Sequence, residues 1–187
     1  MAAGGGVFEF KAVERFVPRH RAQLLHFLLL TEQKHGMLVN IRPERVEREF
    51  VNSVLAFEDR FRFEPTFNAW DDAIPGTAIV RETLLELLSD WGTALELALY
   101  EAALTHFLGG DAVVLQKVCV ELDSVLLGEQ PFRLADEHVA FKLTAFEDPQ
   151  SLPRFRIQSE RLVAHTDLTS LLWINIARDQ VTFQTVP

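Results

Sequence analysis

"FEFKAVERFVPRHRAQLLHFLLLTEQKHGMLVNI", residues 8–41, decides how the rest of the chain is read. With Val7 in front of it, the segment alternates: Phe8, Phe10 and Ala12 fall on one face, and Val7, Glu9, Lys11 and Val13 on the other. That is the period of a strand. Residues 18–33 carry apolar side chains at helical spacing from Leu24 to Leu30, and Pro18 is tolerated in a first turn because its missing N–H would have had no partner there. "MLVNI" (37–41), after Gly36, predicts a short buried strand, "RPER" a polar turn, and "VEREFV" (46–51) a returning strand. Strand, helix, strand, turn and strand thus follow one another within the first 51 residues.

The same order recurs at the other end. "WINIARDQVTFQTV" (173–186) aligns without a gap on "LVNIRPERVEREFV" (38–51), placing Asn175 on Asn40, Ile176 on Ile41, Val181 on Val46 and Val186 on Val51. Carried backwards, the register puts Gln158 on Gln23. A short insertion near Pro149–Pro153 region, numbered 149–153, then puts Phe141 and Lys142 on Phe10 and Lys11. We read this as a diverged duplication, a tandem repeat. Between the copies, residues 56–79 lack a sustained period and contain Pro65, Pro75 and Gly76, which predicts a linker with aromatic contacts. Residues 80–107 predict helix interrupted near Gly92, "AVVLQKVCVEL" and "SVLLGEQPFRL" two strands, and "ADEH" a turn into "VAFKLTAF". The expected organisation is a half-repeat at 1–55, a linker at 56–79 and a complete repeat at 80–187.

Composition bounds the rest. A chain of 187 residues with 48% hydrophobic residues can bury a core. "LLHFLLL" is too short to span a bilayer and no signal-peptide pattern precedes it, so the expectation is a cytoplasmic protein without a membrane partner. The one cysteine, Cys119, lies between two valines and is expected to be a buried thiol; the six histidines show no metal-ligand spacing. The net charge of −9 disfavours nonspecific hold on phosphate, although residues 7–50 carry eight Lys/Arg against six Asp/Glu. Nucleic acid is therefore left open as a partner.

The residues in "FEFKAVERFVPRHRAQLLHFLLLTEQKHGMLVNI" and, less closely, in "ALYEAALTHFLGGDAVVLQKVCVELDSVLLGEQPFRL" resemble the GxxExxY proteins of the PD-(D/E)XK nuclease-like superfamily. The resemblance implies an α/β (α+β) nuclease-like three-layer fold, a mixed sheet flanked by helices. It also implies that an Asp and the Glu of E-x-K hold a divalent metal, that the Lys orients or activates water, and that a Gln on the next helix assists. Glu9, Lys11 and Gln23 match those positions. The chemistry is coherent by itself: phosphodiester hydrolysis needs hard oxygen ligands for Mg²⁺ and a cation beside the attacking water. Glu9 and Lys11, two apart on a strand, share one face.

The departures from that pattern set the functional expectation. The first copy has no upstream helix or strand to supply the Asp, and "MAAGGG" does not replace them. In the second copy Ala94 stands for the glycine, Leu97 for the glutamate and Ala140 for the E-x-K glutamate, while the aspartate position falls on Ala135 or Asp136. Tyr100, Lys142 and Gln158 remain. Glu96 is one residue off, turned about a hundred degrees around the helix. The expectation is a pseudoenzyme, a structural or interaction module with no metal cofactor, partnered by a second copy of itself or by another protein. The competing expectation is a metal-dependent nuclease using Glu9 and Lys11 with Mg²⁺, its site completed by a partner chain or a missing upstream segment; if the chain itself bound Mg²⁺, Asp136 and Glu137 would be the first acids to consider.

Overall fold

The computed structural model describes residues 6–53, 57–123 and 125–187. Met1–Gly5 of the opening "MAAGGG", Ala56 at the head of the expected linker and Ser124 at the head of an expected strand lie outside the described residues. The chain divides into two compact units, Met1–Arg60 and Phe61–Pro187.

In the first unit, β1 (Val7–Lys11), α1 (Pro18–Leu30), β2 (His35–Asn40) and β3 (Glu47–Asn52) follow the predicted order. β1 pairs parallel with β2, and β2 antiparallel with β3. The helix begins at Pro18, and His20 in its first turn accepts the Val17 N–H on Nδ1 at 3.2 Å, satisfying the chain at the point of entry. Leu24 and Leu28 of α1 pack on Leu38 and Val51 of the sheet to form the small core. The opposite face carries Phe8, Met37 and Phe50 in one row across the three strands, and both phenylalanines are exposed.

The second unit holds β4 (Glu64–Thr66), α2 (Thr77–Trp91), α3 (Leu97–Phe107), a short α4 (Asp111–Val114), β5 (Leu115–Leu122), β6 (Val125–Asp136), β7 (Val139–Thr144), α5 (Ser151–Ala164), β8 (Ser170–Ile176) and β9 (Gln180–Val186). Its sheet runs β4-β9-β8-β7-β6-β5. β8 is buried along its whole length, as expected for a central strand covered on both faces, and Trp173 packs against Phe155 of α5 at 4.8 Å between ring centroids. The mixed sheets flanked by helices agree with a nuclease-like fold. No helix among the described residues is long and apolar enough to cross a membrane.

Three expectations change. The stretch expected to link two copies is largely part of the second unit: β4 pairs parallel with β9, and Phe67 and Trp70 pack on the buried Phe183. A three-residue strand containing proline has no readable period, and only its partner reveals it. Cys119 is exposed rather than buried. β5 is the last strand of its sheet, and alternation places Val118 in the core and Cys119 on the other side, where it lines an open cleft with Ala164 and His165.

The third change concerns register. Strands β7, β8 and β9 with α5 repeat the order and pairing sense of β1, β2 and β3 with α1. Asn40 grips the Val13 backbone, accepting its N–H at 3.1 Å and donating to its carbonyl at 2.8 Å; Asn175 does the same to Phe146 at 2.7 and 3.1 Å. Lys11 lies opposite Asn40, but it is Thr144 that lies opposite Asn175. Lys142 therefore stands level with Glu9, and Thr144 with Lys11, two residues along from the alignment read in the sequence. The buried pairs Leu24/Leu28 and Ser159/Val163 keep Gln23 and Gln158 at matching places on their helices.

Candidate functional site

In the first unit, strand alternation turns Glu9 and Lys11 toward α1, which supplies Gln23. Lys11 Nζ lies 2.6 Å from Glu9 Oε1 and donates to Gln23 Oε1 at 2.7 Å. The three predicted residues are brought together as a closed chain of contacts. The Glu9 side chain is only 10% exposed, and its Oε2 is buried without a hydrogen-bond partner among the described residues. The row containing Glu9 continues through Leu38 to Glu49, whose carboxylate receives the fork of the Arg21 guanidinium through both Nε and Nη2. That contact, first as a hydrogen bond and then as charge attraction, raises the Arg21 pKa above its ordinary value. Glu47 is taken by Asn40 Nδ2 at 3.1 Å. The neighbouring acids are thus already engaged.

In the second unit, β6 and β7 pair from Asp136/Val139 to Arg133/Phe141 and then part. A cavity of about 400 Å³ opens there, lined by Phe132, Arg133, Lys142, Phe155, Gln158 and Leu162 among others. Glu101 of α3 sits between the cations, 3.4 Å from Lys142 Nζ and 3.3 Å from Arg133 Nη1. Arg133 Nε donates to Thr105 Oγ1 at 3.3 Å. Lys142 and Gln158 thus share one cavity. Tyr100 lines no part of it: its side chain is fully buried and its hydroxyl donates to the Gly92 carbonyl at 2.6 Å. Asp136 pairs at the other end of the β6–β7 ladder from Lys142, where Asp136 Oδ1 accepts the Glu137 N–H at 2.8 Å. Ala140 belongs to the core.

Sequence reading missed Glu101 and Arg133. The available signal was the neighbour of Tyr100: once the tyrosine is buried, the next helical residue is turned about a hundred degrees from it, toward the sheet's divergent end. Ala94, which the resemblance aligns with the family glycine, has φ 71°, a conformation that favours glycine.

A magnesium ion held with one or two carboxylates still needs hard oxygen partners in octahedral array. Among the described residues, no three of His, Cys, Asp and Glu come together as a metal-holding group. Glu9 offers one free oxygen with Lys11 on the other, and Lys142 brings a positive charge to the corresponding place in the second unit. These residues do not fit a resident Mg²⁺ by themselves.

No curated protein and no solved structure matches this chain. Residues 5–52, which span the β1–α1–β2–β3 unit with Glu9, Lys11 and Gln23, match the family model of the PD-(D/E)XK nuclease superfamily.

Proposed function

We propose that the chain is a nuclease-like tandem of the GxxExxY kind whose second repeat is catalytically degenerate, and that it acts as an interaction module rather than as an enzyme. The observation that supports this most directly is Lys142, a cation level with Glu9 and 3.4 Å from Glu101, where a metal-dependent site would gather carboxylates. Replacing an acid with a lysine removes a ligand and adds repulsion toward a divalent ion. A second copy of the chain or another protein is the partner this reading calls for.

A second reading is favoured by one observation, the buried Glu9 Oε2 without a partner among the described residues. An orphaned carboxylate oxygen costs roughly 1–3 kcal/mol or more, a cost that a metal or donor supplied by another chain would remove. In that reading Glu9, Lys11 and Gln23 form one half of a Mg²⁺-dependent nuclease site. The full chain incubated with plasmid and single-stranded DNA in Mg²⁺ or Mn²⁺ separates the two. We expect no cleavage above a buffer control. Metal-dependent cleavage that Glu9→Ala abolishes would overturn the degenerate reading and establish the assembled site.

A further inference from the structure

The two matching clusters differ in how tightly they close. Lys11 is fastened at 2.6 and 2.7 Å to Glu9 and Gln23, within the range of strong charge-assisted contacts. Lys142 and Arg133 are 3.4 and 3.3 Å from Glu101, beyond that range, so both cations retain donors that Glu101 does not saturate. The side chain of Gln158, which lines the same cavity, has no hydrogen-bond partner among the described residues. One glutamate against a lysine and an arginine leaves one positive charge over. Beneath these polar groups, Phe132, Phe155 and Leu162 are only half-buried although they line a concavity. A ligand filling it would remove apolar surface from water while meeting donors at the mouth.

We propose that the cavity in the fork between β6 and β7 binds a small amphipathic monoanion, a carboxylate head on an apolar body. The head meets Lys142, Arg133 and Gln158, and the body lies on Phe132, Phe155 and Leu162. A single negative charge matches the surplus at the mouth. A polyanion brings more charge than the mouth neutralises, and inorganic phosphate leaves the apolar wall uncovered. The inference rests on the second unit's cavity and not on the absence of nuclease activity.

Titration calorimetry on the full chain with octanoate as the probe tests it, with octanol, inorganic phosphate and an oligothymidylate as comparisons. We expect one saturable octanoate site per chain, with octanol and phosphate each at least about ten-fold weaker, because charge-assisted bonds and apolar burial each contribute that much. Lys142 is 51% exposed at the cavity mouth, so Lys142→Met should fold normally and weaken octanoate about ten-fold, while Lys142→Arg retains it. Octanol binding as well as octanoate would show an apolar slot that does not read charge. An oligothymidylate binding more tightly than octanoate would make this a nucleic-acid surface. Either result, the absence of saturable octanoate binding, or unchanged binding in Lys142→Met overturns the proposal.

Discussion

Asn40 and Asn175 show what one residue fixes. An asparagine at the end of a buried strand offers an acceptor and a donor to the N–H and C=O of one residue, so it pins the segment leaving the neighbouring parallel strand. The two asparagines, which the ungapped match of 38 to 51 on 173 to 186 pairs in the sequence, make the same two bonds in their units. Lys142 was misplaced because the count back to β7 crosses a loop of variable length, where an insertion can be divided in more than one way; parity kept it on the right face and two residues from its true level. Burial separates the remaining site residues. Tyr100 was named because the resemblance implies a tyrosine there, and in the fold it serves the core, its hydroxyl donating to a backbone carbonyl. Ala94 makes a prediction at this scale. A left-handed conformation costs an L-residue about 1–2 kcal/mol, partly offset by the greater unfolded-chain entropy of glycine, about 0.4–1 kcal/mol. Ala94→Gly should therefore stabilise the chain by about 0.5–1 kcal/mol, read as a higher urea midpoint; a lower midpoint would mean that the Ala94 methyl makes contacts that outweigh the strain.

At the scale of elements, the helices and strands with sustained periods were legible and the irregular ones were not. β1 was visible by its alternation, α1 by its helical spacing, β2 as a short apolar run after Gly36 and β3 as the return after a polar turn. β4 has three residues, and its place is set by a partner more than a hundred positions away. Cys119 was misjudged because a strand's apolar composition says nothing about whether its second face is covered. The packing of α1 on β2 depends on Gly36. A Cβ there would lie 3.0 Å from Leu24 Cδ1, 3.1 Å from Leu28 Cδ2 and 3.1 Å from the Val7 carbonyl oxygen. Leu24 and Leu28 are fully buried, so they have little freedom to yield. Gly36→Ala should destabilise the first unit by about 1–3 kcal/mol, as overpacking does, with faster amide exchange in β1 and β2 than in the parent chain. Exchange unchanged in those strands would show that α1 can shift outward at little cost.

For the whole molecule, the division at Arg60/Phe61 alters which pieces should stand alone. Among the described residues the first unit's core cluster gathers Leu24, Leu28, Leu38 and Val51, and its other face shows Phe8, Phe10 and Phe50 to solvent. So small a core falls short of the conformational entropy that ordering some sixty residues costs, roughly 1–2 kcal/mol for each backbone. The second unit contains the six-stranded sheet and most of the buried side chains. Sequence reading placed the start of its independent domain at residue 80, which would remove β4, Phe67, Trp70 and the first turn of α2. Phe67 stacks on Phe183 at 4.9 Å and Trp70 meets it edge-on at 5.4 Å, while the Thr185 N–H donates to the Ala69 carbonyl at 2.9 Å. Aromatic pairs of this kind contribute about 0.5–1.5 kcal/mol each beyond the area they bury. A fragment of residues 61–187 should therefore unfold cooperatively in urea, and one of residues 80–187 should be less stable by about 2–4 kcal/mol, the loss of both aromatic contacts together with the Thr185 bond. Residues 1–60 alone should give no cooperative transition. Equal midpoints for the two longer fragments would show that the 61–79 segment only decorates the sheet edge, and a cooperative monomeric transition in 1–60 would show that its small core suffices.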